Sequence, residues 1–370
     1  GDYAYVADGV SLVALDVSNP TDPQIVGSCD TPGWAQGVAV VGDYAYVADG
    51  PNGLQVVDVS DASDPRIVGS CDAPPPAEPR RVAVAGDYAF VADWQRRVHM
   101  VNIANASELW TVASLDVPDD IWDVALAGGY AYVANYQSGL KVVDISDPAN
   151  PRIVGSYDTP GWAEGVAVAG DYAYVADWSS LQVIDVSDPG DPQIVGSLAT
   201  PGLAHGVTVD GDYAYVADDD KGLQIVDVSD PADPKIVGSC DMPRQAQDVA
   251  LAGTHAYVVD WYDGLRVVDV SDVANPHIIA SCRNCLNPER AEDVAVAGDH
   301  AYVADFYGGL QVINVSDPNQ PYEVSWPFLG HAGGVAVTDD DAYVAAGDAG
   351  LVIVRLVDAQ TFIPVARRRG

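Results

Sequence analysis

Apolar and polar positions alternate along this chain in short runs, and none recurs at helical spacing. Between Ala35 and Asp72 four such runs follow one another: Gly37-Val38-Ala39-Val40, Tyr44-Ala45-Tyr46-Val47-Ala48-Asp49, Leu54-Gln55-Val56-Val57-Asp58-Val59 and Arg66-Ile67-Val68-Gly69-Ser70-Cys71. All are rich in β-branched or aromatic residues and bounded by Gly, Pro, Asp or Asn, so the stretch predicts four short strands. Gly42-Asp43 supplies a tight reversal, because glycine tolerates positive φ and aspartate bonds the turn backbone. The Asp64-Pro65 step removes a backbone donor where pairing must not yet begin.

The unit repeats. Aligned on the alanine of Tyr-Ala-Tyr-Val-Ala-Asp, copies fall at Ala4, Ala45, Ala89, Ala131, Ala173, Ala214, Ala256, Ala301 and Ala342, 41 to 45 residues apart. That is the period of a four-stranded propeller blade. Tyr44 and Tyr46 alternate with Ala45 and Val47, so each sheet is apolar on both faces and must be sandwiched between neighbours, which radial packing supplies. The second and third strands recur nine times and the first eight times, at Val38, Val82, Val124, Val166, Val207, Val249, Val294 and Val335. The N-terminal unit therefore lacks its inner strand, and Thr361 to Ala366 is needed both to fill that gap and as the last outer strand. The expectation is an all-β chain, one propeller domain over residues 1–370, with nine four-stranded antiparallel blades imperfectly closed. Eight blades with a displaced N-terminal unit are the alternative.

Composition adds a core and a charge. Apolar residues make up 48% of the 370, enough to bury a sizeable interior. The formal net charge is −37, mostly aspartate, and such a surface repels phosphate backbones and anionic membranes. Nucleic acid and membrane insertion are thus poor partners for it. The aspartate is explained by turn chemistry multiplied through the repeat, with adaptation to high salt as the other reading. No apolar run reaches the length of a membrane span, and Gly1 begins inside a strand motif with no signal peptide. Arg367, Arg368 and Arg369 read as a solvated tail.

The third-strand runs LQVVDVSDP, KVVDISDP, LQVIDVSDP and LVIV resemble the LVIVD repeat family of β-propellers over essentially the whole chain. The resemblance implies the propeller fold and an extracellular or cell-surface setting, and it carries over no catalytic residue. Met100-Val101-Asn102 and Arg355 depart from the family pattern.

Candidate chemistry is sparse within the strands. Cys29, Cys71, Cys240 and Cys282 occupy an outer-strand position that is Tyr157, Leu198 or Leu115 elsewhere, which predicts buried thiols; Cys282 and Cys285 could close a small loop or bind metal weakly. Asp58, Asp144, Asp185, Asp227 and Asp269 share one register, which predicts a structural hydrogen bond. Asp218-Asp219-Asp220-Lys221-Gly222 reads as a solvated turn. No nucleophile, metal set or phosphate loop stands out, so no catalytic residue, metal or cofactor is expected.

The connections differ where the strands agree, and propellers bind through such loops. Just before the inner strand the copies read Gln36, Arg80, Trp122, Glu164, His205, Gln247, Glu292 and Gly333. The second-to-third connection adds Trp94, Tyr136, Trp178, Trp261, Phe306 and Tyr307, while Trp34 and Trp162 lie in outer-to-inner loops. The binding candidates are Arg80, Arg81, Trp94, Trp122, Glu164, Trp178, His205, Trp261, Arg290 and Glu292, on one loop face at the channel mouth. Packing between blades also explains aromatics at a repeated place. The function expected is a non-enzymatic recognition scaffold for a protein, peptide or carbohydrate. A channel-sited hydrolase, lyase or dehydrogenase and a purely structural surface module are the alternatives.

Overall fold

The computed structural model describes residues 79–325 except 94, 105–109, 243, 262–263, 283–290 and 306–308, then 332–337, 341–346, 351–357 and 361–367, and before residue 79 the strands of the first two units. Every described element is a β-strand or turn. The second unit of the ring shows the plan: Asp123–Ala127, Tyr130–Ala134, Leu140–Asp144 and Arg152–Tyr157 form one antiparallel meander from inside outward. Its register pairs Tyr132 with Ala125 on one side and Val142 on the other.

Both faces of each sheet are buried, as the alternation requires. Tyr132, Ala134, Leu140 and Val142 pack against Ala163, Val166, Ala173, Val175 and Ile184 of the following sheet. Equivalent clusters join each later pair. Small side chains at the inner strands let the blades converge on the axis, and larger ones fill the widening outer part.

The ring closes earlier than the repeat count implied. Among the described residues, seven sheets close on themselves, from the one begun by Pro79–Ala85 to the one begun by Gly334–Val337, whose inner strand lies against Pro79–Ala85. We call them blades 1 to 7. Ala345 of blade 7 packs with Val82, Ala89, Val91 and Val101 of blade 1. The expectations of nine blades, and of eight with a displaced first unit, are both overturned by this contact. Its physical basis is local: a Cβ on Gly334 would lie 2.8 Å from the Arg80 carbonyl oxygen, so only glycine lets the last inner strand approach the first.

The two N-terminal sheets take no part in the closure. Gly37–Val41 runs alongside the outer strand Thr361–Arg367 of blade 7, and Tyr3–Ala7 runs alongside Gly37–Val41. The first sheet has three strands, Tyr3–Ala7, Gly9–Asp16 and Gln24–Ala35, consistent with its missing inner run. Thr361–Arg367 pairs with Leu351–Val357 as an ordinary outer strand, so among the described residues no strand is exchanged between the termini.

Aspartates of the third-strand motif carry the hydrogen bonds expected of them. Asp144 accepts from the Ser146 amide at 3.0 Å and the Ser146 hydroxyl at 2.6 Å, and Asp185 and Asp227 repeat the pattern with Ser187 and Ser229. The serine bonds, followed by Arg152, bring Asp144 down to about 2. Cys240 is the predicted buried free thiol, raised first by burial, whereas Cys282 is disulfide-bonded rather than free. Cys285 lies outside the described residues.

Candidate functional site

Eight of the ten candidate residues line one cavity of about 520 Å³ at the end of the central channel: Arg80, Arg81, Trp122, Glu164, Trp178, His205, Trp261 and Glu292. Trp94 and Arg290 lie outside the described residues. The loops converge because each second-to-third connection is latched onto the next blade. Tyr136, Trp178 and Asp219 hold one repeat position and all take positive φ, at 44°, 62° and 47°. Each pairs with the alanine that leads into the following blade, Tyr136 with Ala163, Trp178 with Ala204 and Asp219 with Ala246. Backbone pairing thus places successive loop side chains side by side.

The result is a continuous aromatic arc across blades 2 to 4. Trp122 stacks on Tyr136 with centroids 5.8 Å apart, Tyr136 meets Trp162 at 5.0 Å, and Trp162 meets Trp178 at 4.4 Å. Trp178 then meets the His205 ring edge-on at 5.9 Å. Glu164 Oε2 and His205 Nδ1 are 2.5 Å apart, and His205 Nε2 lies 4.0 Å from Asp219. The arc therefore both packs blades together and borders the cavity, so the two readings of the repeated aromatics are joined in one feature.

Both arginines are committed internally. The Arg80 guanidinium sits 3.5 Å over the Trp122 ring and donates to the Ile121 carbonyl at 3.3 Å. Arg81 donates to the carbonyls of Arg80 and Gly333 and pairs with Glu292 at 3.7 Å. Neither guanidinium is an open receptor for an anion.

Apart from Arg81, sequence reasoning missed the position one step further along the inner strand. It reads Arg81, Asp123, Gly165, Gly206, Asp248, Asp293 and Gly334 through the seven blades, so three carboxylates and one guanidinium face the channel throat. The signal was present: only charged residues and glycine hold this position, and the residue after it is valine in every blade. Asp123 accepts from the Val166 amide at 2.8 Å, Asp248 from Val294 at 3.1 Å and Asp293 from Val335 at 2.8 Å. Each carboxylate ties its inner strand to the next one, which no sheet ladder does. Glycine serves where there is no room, since a Cβ at Gly165 would meet the His205 carbonyl oxygen at 2.3 Å.

This throat is short of positive charge. Burial pushes the Asp123 carboxyl up to about 6 against the pull of Arg81. Burial, then the neighbouring Asp293, holds Asp248 well above the carboxylate range. For Arg81 burial opposes the charge, and Asp293, Glu292, Asp123 and Asp248 more than reverse it, so the guanidinium stays ionised. Asp218 is buried rather than solvated, raised by burial to about 6.

A pH dependence follows. Carboxyls raised in the folded state contribute stability that is complete below their unfolded value of about 3.9 and lost as pH rises through about 6. Asp144 and its equivalents act oppositely, since their carboxyls are lowered and their contribution is lost at acid pH, for Asp144 as pH falls through about 2. Melting temperature is expected to be higher at about pH 5 than at about pH 7. Asp123→Asn should flatten that slope in scanning calorimetry; an unchanged slope would assign it to overall charge.

Ser114, His99 and Asp93 make a second polar chain, with His99 2.8 Å from each partner. The same cross-strand register holds Lys141 with Ser156, Gln182 with Ser197, Gln224 with Ser239 and Arg266 with Ser281. His99 is thus one occupant of a buried polar position present in other blades. Among the described residues no group of three or more His, Cys, Asp or Glu is arranged to hold a metal ion. No described helix is long and apolar enough to cross a membrane.

The LVIVD repeat model matches nine successive segments, 1–31, 32–73, 78–117, 119–159, 160–200, 201–242, 243–284, 289–326 and 329–355. The chain belongs to the LVIVD repeat family. Seven of the matched segments coincide with the ring blades and two with the N-terminal sheets. No curated protein matches the chain. Among solved structures, the computationally designed Ika8 protein is similar at 9% identity and TM-score 0.62, covering 87% of this chain and 96% of that one. U3-55K is similar at 10% identity and TM-score 0.63, covering 78% and 95%. A functionally unknown protein from Desulfotomaculum acetoxidans DSM 771 is similar at 13% identity and TM-score 0.51, covering 78% and 98%. At these identities the likeness is one of fold alone.

Proposed function

We propose that this LVIVD-repeat propeller is a recognition scaffold, working outside the cytoplasm, that binds its partner in the channel-mouth cavity. The supporting observation is that loops from separate blades, chosen for their divergence amid uniform strands, bring aromatic and charged side chains into one concave site of ligand size. A rigid ring carrying variable loops is suited to recognition. The extracytoplasmic setting rests on the family resemblance.

The test uses peptide and glycan arrays probed with the labelled wild-type protein and with a Trp261→Ala, Glu164→Gln variant. Loss of array signal in a variant that keeps its cooperative melt is the expected result. Retained signal would move recognition away from the mouth. One observation favours a second reading, a channel-sited enzyme: the Glu164–His205 pair could serve as a base. Turnover in a screen of ester and glycoside substrates, abolished by His205→Gln, would support it.

A further inference from the structure

Resting on that reading of the mouth, we propose that its ligand is a peptide presenting a basic side chain, lysine or arginine, to the cavity. The excess of acidic groups is the first reason. Asp123, Glu164, Asp248, Glu292 and Asp293 line the cavity against Arg80 and Arg81. Arg80 is turned to the Ile121 carbonyl and the Trp122 ring, and Arg81 to two carbonyls and Glu292. An anionic ligand would meet a net negative field with its natural receptors already engaged. A cation meets carboxylates beside the rings of Trp178 and Trp261, the combination that retains a partly desolvated ammonium or guanidinium. The net charge of −37 steers the same ligand toward the protein over longer range.

The second reason is independent of the acids. Gln247 lines the cavity, and its side-chain amide nitrogen is buried with no hydrogen-bond partner. A buried donor without an acceptor is costly, so an oxygen on the ligand is called for. A peptide carbonyl next to the basic side chain supplies one; a free diamine does not. The cavity of about 520 Å³ takes a long side chain with its adjoining peptide groups.

Cation entry also compensates the throat. Burial raises Asp123 and Asp248, with Arg81, Glu292 and Asp293 as the charged groups facing them. A bound cation stabilises their ionised forms, so protons leave on binding and affinity rises from about pH 5 to about pH 7.5.

Isothermal titration calorimetry on the full chain tests this with acetylated, amidated Gly-Lys-Gly and Gly-Arg-Gly, the same peptide with glutamine at its centre, cadaverine, and maltotriose. The basic peptides are expected to bind about tenfold more tightly than the glutamine peptide, more weakly at high salt, and with a heat that varies with buffer ionisation enthalpy through proton release. Gln247→Ala should weaken the basic peptides and leave cadaverine unchanged. Equal binding of the glutamine peptide, no binding of either basic peptide, or cadaverine binding as tightly as they do would overturn the proposal. Maltotriose binding abolished by Trp178→Ala would sink the cation and leave the mouth as the recognition face. Basic-peptide binding untouched by Trp178→Ala and Gln247→Ala would sink both.

Discussion

Arg81→Gln is expected to destabilise the protein by about 3–5 kcal/mol at about pH 7, the cost of leaving buried charge without its partner. Arg81 is the cation among the four groups that face the throat on the inner strands, and Glu292 adds to the charge it offsets. The same side chain donates to the Gly333 carbonyl and so ties blade 1 to blade 7 at the closure. Electrostatic and architectural losses therefore fall together. Urea unfolding of wild type and variant measures the difference, which should shrink at about pH 5 as Asp123 takes up its proton. An Arg81→Lys variant should recover part of the loss, because a point charge offsets the acids without spanning carbonyl and carboxylate as a planar fork does. A variant as stable as wild type at both pH values would show that the throat carboxyls are neutral without Arg81.

Gly238→Ala is expected to cost about 3 kcal/mol or more, at the upper end of overpacking in a well-filled interior. A Cβ there would stand 1.9 Å from the Val273 carbonyl oxygen in the turn of the following blade and 3.0 Å from a Pro276 ring carbon. Gly155 and Gly196 meet the carbonyls of Pro189 and Pro231 at 2.1 and 2.0 Å in the same way. The glycine of the outer strand is thus where one blade's edge meets the next blade's Asx turn. Gly253→Ala is the contrast: φ is +57° but nothing lies within 4 Å, so only the left-handed strain of about 1–2 kcal/mol is expected. Calorimetric melts of both variants separate close approach from backbone strain. Equal losses would refute the contact.

Much of the site was legible because divergence amid repetition is a local property. Residues such as Glu164, His205 and Trp178 stood out against their equivalents, and the structure sets them around one cavity. The roles of Arg80 and Arg81 were not legible. Their partners are carbonyls 41 and 252 residues away, at Ile121 and Gly333, and backbone oxygens leave no mark in a sequence. Asp123, Asp248 and Asp293 were passed over, although only charged residues and glycine hold their register through the seven blades. Asp218 looked like part of a solvated acidic turn, yet its copy-equivalent Asp177 is likewise fully buried, accepting from Thr159 and Gly161.

By itself the sequence determined the blade: four strands in order, apolar on both faces, closed by glycine and Asp-Pro turns, repeated along the chain. Period-two alternation and turn chemistry act over a few residues, so they are written wherever the motif is written. Which blade closes the ring was decided only by tertiary structure. Every blade offers nearly the same apolar face, so alternation cannot say which copy lies beside which. The choice falls to contacts between distant residues, with Gly333, Gly334 and Ala345 at one end of the ring and Arg80, Arg81 and Val82 at the other. Closure there leaves the first two units outside and brings three aspartates and one arginine together in the throat. The excess of acidic groups in the cavity, on which the proposal of a cationic ligand rests, is a product of that closure.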